Sequence, residues 1–195
     1  METFILEIQQ EVTPNPESLK FSTNLSILPN YQIEYKAKDE VKGESLLADA
    51  LFDLPFVQSV FLSQNFVTVT KKADADWFHI TTPIIEAIEL FHKSGKPFVS
   101  ENLKSKGEFS ETKTDGSENS TQDKIISLLD KYVRPAVEMD GGYIAFRSFE
   151  NGIVKLSMQG SCSGCPSSQV TLKAGIEGLL KRMLPEVQEV VAVEE

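Results

Sequence analysis

The chain has 195 residues, 41% of them hydrophobic and 25% charged, with a formal net charge of −10 from 29 acidic and 19 basic side chains. That composition builds cores without disulfide staples, in one large domain or two small ones. An acidic balance with no Lys/Arg-rich run excludes a nucleic-acid partner, and no apolar run approaches the roughly 20 residues of a membrane span. The first residues, Met1-Glu2-Thr3-Phe4-Ile5, resemble neither a signal peptide nor an Arg-rich transit peptide, so a cytoplasmic location is expected. On the same ground Asn24 and Asn119, each in an Asn-x-Ser/Thr match, are read as chance occurrences.

Residues 1–100 read as a compact α+β domain. Phe4-Ile5-Leu6-Glu7-Ile8 has the apolar content of a strand, and Thr13-Pro14-Asn15-Pro16 then breaks regular structure twice. In Leu19-Lys20-Phe21-Ser22-Thr23-Asn24-Leu25 the apolar odd positions Leu19, Phe21 and Leu25 share one face of a second strand. Ser45 caps a helix carrying Leu46, Leu47, Ala50, Leu51 and Leu54. A hairpin comes next, from Phe56 to Leu62, around Ser63-Gln64-Asn65, and back from Phe66 to Thr70. Ile84, Ile85, Ile88 and Phe91 recur at helical spacing until Gly95 and Pro97 end the helix.

Residues 101–120 mix Glu, Lys, Ser, Thr, Gly and Asn around two large apolar side chains, Leu103 and Phe109. Such a segment buries too little surface to offset the entropy of ordering, so it is read as a flexible linker.

Residues 121–195 form a second α+β domain. Ile125, Leu129, Tyr132, Val133 and Ala136 mark one helix face, with Pro135 forcing a kink or restart. Met139-Asp140-Gly141-Gly142 is a sharp exit whose adjacent glycines permit positive φ. Tyr143–Phe149 and Ile153–Met158 flank Asn151-Gly152, a strong hairpin-turn pair. Leu172, Ile176, Leu179, Leu180 and Met183 line a second helix, and Val187–Val193 supplies a last edge strand. The expected whole is two small α+β domains joined by a flexible linker.

Both cysteines lie in one stretch, Gln159-Gly160-Ser161-Cys162-Ser163-Gly164-Cys165-Pro166-Ser167-Ser168. Two cysteines in CxxC spacing favour metal or redox chemistry over a structural bridge. Cys162 and Cys165 stand where a strand turns into a helix, with Pro166 suited to the first helical position. Unpaired N–H groups at a helix start favour anionic sulfur, and Gly160 and Gly164 let the backbone wrap closely around what the sulfurs hold. A cubane cluster or structural zinc takes four protein ligands, and the chain offers two thiols. His79 and His92 lie in the other domain on or beside an apolar helix, and ordinary partly exposed histidines are the simpler reading. A two-fold dimer, each chain giving Cys162 and Cys165, reaches four thiolates most economically. Two rivals remain at this point: a thioredoxin-like dithiol oxidoreductase, and a zinc-bridged interaction module. Asp74, Asp76, Glu86 and Glu89 read as solvated faces. Trp77, Phe78 and the Thr13–Pro16 loop are candidates for a client-docking surface, against the plainer reading of core aromatics beside a loop.

From Tyr132 to Val187 the chain resembles the C-terminal domain of the NifU/Nfu-type iron–sulfur cluster proteins. The segments that carry this are Val133-Arg134-Pro135-Ala136-Val137, Asp140-Gly141-Gly142, Gly160-Ser161-Cys162-Ser163-Gly164-Cys165-Pro166-Ser167-Ser168, Thr171-Leu172-Lys173 and Gly175-Ile176-Glu177. Residues 1 to about 99 resemble the N-terminal domain that accompanies it, through Thr13-Pro14-Asn15-Pro16, Ser18-Leu19-Lys20-Phe21, Val60-Phe61-Leu62, Phe66-Val67-Thr68-Val69-Thr70 and Asp76-Trp77. The resemblance implies that Cys162 and Cys165 ligate a [4Fe-4S] cluster shared between two subunits, with a [2Fe-2S] form compatible with the same ligands. It implies a scaffold or carrier, not an enzyme, that takes clusters from upstream assembly machinery and passes them to apo iron–sulfur client proteins. Met139 and Tyr143 depart from the family's commoner acidic or polar residues beside the glycine pair. Neither is a ligand; client choice and solvent exposure of the site are what the departure touches.

Overall fold

The computed structural model describes residues 5–29, 32–100, 120–163 and 166–193. The chain divides into two compact units, Met1–Glu111 and Thr112–Glu195, each with its own mixture of strands and helices. The expected linker lies outside the described residues apart from Ser120.

The first unit is a five-stranded antiparallel sheet in the order β1-β2-β5-β4-β3, from β1 (Ile8–Val12), β2 (Ser18–Thr23), β3 (Ile33–Tyr35), β4 (Val57–Leu62) and β5 (Phe66–Lys71). Helices α1 (Lys38–Val41), α2 (Leu46–Phe52) and α3 (Trp77–Lys93) complete it. Alternation along the strands sends Leu19, Phe21, Val60, Leu62, Val67 and Val69 into one core with Leu47 and Leu51 of α2 and Ile84 and Ile88 of α3. Ser45 caps α2 as expected, its Oγ accepting from the Ala48 N–H at 3.1 Å.

Two expectations shift here. The first strand runs from Ile8 to Val12, later than the apolar stretch suggests, because the turn after it pairs Val12 with Leu19 and sets the register back to Ile8. Its Gln-Gln-Glu centre is mostly exposed on a sheet edge, so apolar content is the wrong guide. Leu25 is half-buried beyond the end of β2, and Ile27 and Leu28 fill the core in its place. Lys20 and Lys71 are buried on this sheet and ion-paired, Lys20 with Glu11 at 3.2 Å and Lys71 with Glu17 at 2.5 Å. Pairing is what a buried ammonium requires.

The second unit opens with α4 (Thr121–Leu128), a π-helical turn (Leu129–Val133) and α5 (Arg134–Met139) in one continuous run. Its core face is Ile125, Leu129, Val133 and Val137, one every four residues. A strict α-helix would rotate such a repeat by about 40° per step. The π turn absorbs the excess: the Arg134 N–H reaches back five residues to Leu129 O, and Pro135, which has no N–H to give, comes immediately after. Tyr132 and Ala136, placed on the core face by 3.6-residue spacing, are therefore exposed.

The hairpin of β6 (Gly142–Glu150) and β7 (Ile153–Gly160) turns at Asn151 (φ 52°) and Gly152 (φ 80°). Helix α6 (Pro166–Met183) then crosses back to β8 (Glu189–Val193), which pairs parallel to β7 to give the order β6-β7-β8. Ile176 and Leu180 bury beneath α6, while Met183 is half-exposed and Leu184 fills the core in its place. Both units are α+β.

Candidate functional site

The register of the hairpin builds the site. Gly142, the first residue of β6, pairs with Gly160, the last of β7, so the turn leaving α5 and the cysteine loop begin side by side. Gly141 (φ 77°) turns the chain from α5 into β6, and Gly160 (φ 68°) turns it out of β7. At both positions a side chain would be strained. The two turns are stitched together: the Ser161 N–H donates to Gly141 O at 3.1 Å, and the Ser161 hydroxyl donates to Asp140 O at 2.5 Å. Ser163 closes the next turn, its N–H and hydroxyl both donating to Gly160 O at 3.0 and 2.9 Å.

Cys162 lies in this knot, 6% exposed, as a member of the core formed by Val133, Val137, Ile144, Met158 and Ile176. Its Sγ stands 3.9 Å from the Ser161 hydroxyl oxygen. A Cβ built on Gly142 would lie 2.5 Å from that Sγ and 2.9 Å from Gln159 O. Gly142 is not in the left-handed region, so its role differs from the one its sequence suggests: it makes room for the thiol. Helix α6 starts at Pro166, as expected, four residues past Cys162. Cys165 and Gly164 lie outside the described residues, so of the two predicted ligands the structure places Cys162.

Tyr143 comes directly after Gly142 and is half-buried under the Arg134 guanidinium, whose carbon stands 5.1 Å from the ring centroid. Arg134 donates through Nε to Ile144 O at 3.2 Å and is ion-paired with Asp130. Burial pushes the Tyr143 hydroxyl above its ordinary value, with Arg134 opposing, so the phenol stays neutral. Two exposed apolar side chains border the motif residues in sequence, Met139 before Asp140 and Val170 in the first turns of α6, at 73% and 68% exposure.

The other candidates fall apart into ordinary roles. His79 meets the Phe78 ring edge-on at 5.2 Å, and His92 stacks on Phe98 at 6.4 Å. Asp76 caps α3 through its bond from the Phe78 N–H, and Glu89 pairs with Lys93. Asn24 bonds Glu7 N and Ile5 O, a structural use of its amide, while Asn119 lies outside the described residues. Among the described residues no three His, Cys, Asp or Glu side chains converge on a metal position. Trp77 packs partly buried against the first core, with Nε1 donating to Pro16 O at 2.8 Å, but Phe78 is 86% exposed and not a core aromatic.

Sequence reasoning missed the Gly142–Cys162 contact. Its signal was present: counting outward from Asn151-Gly152 sets Gly142 opposite Ser161, and the bulge at Arg147 moves the partner to Gly160.

Residues 125–191 match the NifU-like domain family, and residues 8–95 match the family described as scaffold protein Nfu/NifU N terminal. Among curated proteins, relatives from Drosophila ananassae and Drosophila willistoni, both named NFU1 iron-sulfur cluster scaffold homolog, mitochondrial, are each 40% identical over 186 residues. The alignments cover 95% of this chain and 64% and 63% of those relatives, so the chain spans less than two thirds of their length. A solved NifU-like protein from Saccharomyces cerevisiae is 27% identical, with a TM-score of 0.45, over 52% of this chain and 91% of that one. The relatives' mitochondrial designation overturns the expected cytoplasmic location. Composition and thiol usage bear on partners and redox setting, and neither distinguishes one reducing compartment from another.

Proposed function

We propose, from the premise that this chain belongs to the NifU/Nfu family, that it is an iron–sulfur cluster scaffold or carrier and not a catalyst in its own right. The cargo is a [4Fe-4S] cluster held between two copies of the chain through Cys162 and Cys165 of each. The carrying observation is the ligand count: the chain has two cysteines, Cys162 and Cys165 in CxxC spacing, and a cubane takes four protein ligands. A cluster that straddles two chains is released when the chains part, which suits delivery. In transfer, a client thiol gives its proton to the departing Cys162 or Cys165 sulfur as one iron–sulfur bond breaks and another forms. No electron changes hands. The first domain, residues 1–100, joined through residues 101–120 to the cluster domain at 121–195, holds the apo-protein client. Its cysteine-free sequence and the exposed Phe78 support that role.

Anaerobic reconstitution with iron and sulfide tests this reading. A brown protein that passes its iron and sulfide to an apo iron–sulfur protein is expected. A colourless protein with stoichiometric zinc, or a metal-free chain that turns over disulfide substrates, would contradict it. Phe78→Ser should slow transfer to clients while leaving loading unchanged; unchanged transfer would remove the docking role.

A further inference from the structure

We propose that Gly142 is a positioning residue for the Cys162 thiol: the missing side chain at 142 is the space in which that sulfur is seated. The inference deepens the carrier reading and rests on it only for the cluster. Three observations converge. Cys162 is 6% exposed and packed in the second core. The added Cβ would stand 2.5 Å from Sγ, a distance real Cβ atoms essentially never show. A thiol alone could rotate away from such a methyl group, but the same Cβ would sit 2.9 Å from Gln159 O, a backbone atom of the paired strand, and 3.3 Å from Cys162 Cβ. Relief therefore requires moving the end of β7 together with the thiol just beyond it. The Ser161 hydroxyl, bonded to Asp140 O and 2% exposed, resists that movement from the other side. Gly142 and Ser161 thus set from which side the Cys162 sulfur is offered, and keep it recessed until a ligand draws on it.

The test compares the two ends of one hairpin. Gly152→Ala is the control, since a side chain at φ 80° and 2.8 Å from Gln188 Cγ strains the distal turn as Gly142→Ala strains the proximal one. Alkylation of each cysteine by iodoacetamide is followed by mass spectrometry on the apo 195-residue chain. Wild-type Cys162 should react at least tenfold more slowly than in urea; equal rates would overturn the proposal. Gly142→Ala should bring the Cys162 rate up at least tenfold and shorten cluster retention against a chelator several-fold, with Gly152→Ala changing neither. Overlapping behaviour of the two variants would overturn the proposal. If Gly142→Ala does not fold, Ser161→Ala, which removes the bond to Asp140 O that holds the loop from the other side, should raise the Cys162 alkylation rate several-fold; an unchanged rate would also overturn the proposal. A wild-type chain that takes up no iron would sink the carrier reading and leave the alkylation comparison standing.

Discussion

The Thr13–Pro16 loop and the Gly160–Ser163 loop each lead the chain out of a strand, and they are held by different means. In the first, side chains satisfy the backbone. The Thr13 hydroxyl donates to Asn15 O and Ser18 O at 2.9 and 3.0 Å, Asn15 Oδ1 accepts from the Glu17 N–H at 3.0 Å, and Trp77 donates to Pro16 O. Asn15 is buried, and its groups are spent on holding the loop. In the second, glycines remove side chains so that turns can close on a thiol, and Ser161 and Ser163 tie the backbone around it. A loop filled with its own polar groups is a support; a loop emptied around one nucleophilic atom is a site. The contrast is one of packing: polar side chains fill the first loop, and the second leaves space around the Cys162 sulfur.

Core truncations give the largest effects that sharpen this comparison. The chain's one tryptophan, Trp77, packs against the first core and so reports on that unit. Leu180→Ala, at a fully buried position of the second core, should cost about 2–5 kcal/mol there. The far-UV urea transition would shift while the tryptophan fluorescence midpoint stays in place, and cluster retention would fall. Ile84→Ala should do the reverse, lowering the fluorescence midpoint by a similar energy with loading unaffected. A common shift of both probes in both variants would show that the two regions unfold as one.

Asn15→Ala probes the supporting loop more finely. Loss of its bonds at a buried position should cost about 1–3 kcal/mol in the tryptophan transition and leave the iron content of the reconstituted chain unchanged. Reduced iron would join the two loops functionally and break the contrast. In α6, Gly178 has open space where a Cβ would stand and no positive φ, so Gly178→Ala should stabilise the second unit by about 0.5–1 kcal/mol. Destabilisation in urea would reveal a close neighbour at that face.

The smallest effect is electrostatic. Burial raises the Glu11 carboxyl, but hydrogen bonds from Ser22 and Lys20 outweigh it, and the group sits below its ordinary value in the folded chain. The contribution is thus present above the unfolded carboxylate pKa near 4.5 and lost as pH falls through the lower folded one. Glu11→Gln should lower the first unit's stability slightly at neutral pH, where the contribution is present, and converge with the wild type as pH falls below about 4.5, which flattens the acid limb. An acid limb of unchanged slope would remove Glu11 from the account.

Much of this is legible in the sequence because local chemistry and tertiary use agree. Ser45 before an apolar periodic run caps α2, and Asn151-Gly152 turns the hairpin. Cys162 stands at a strand-to-helix junction because Gly160 and Pro166 mark its two ends. The failures come where a local template meets a feature it does not contain. The π turn before Pro135 carries Val137 inward and turns Tyr132 and Ala136 out, which no 3.6-residue count anticipates. Strand β1 escapes its apolar pattern because its register comes from pairing with β2 across a turn. Gly142 looks like a turn residue, and its contact with Cys162 depends on a bulge five residues along the strand.

The central claim, one cluster shared by two chains, is tested most directly by measuring mass and metal on the same anaerobic sample. Light scattering on the reconstituted 195-residue chain, with iron and sulfide analysis of the scattering fraction, should give twice the 21.7 kDa chain mass and about four iron and four sulfide per pair. Four iron on a single-chain mass, or a colourless chain with none, would contradict it.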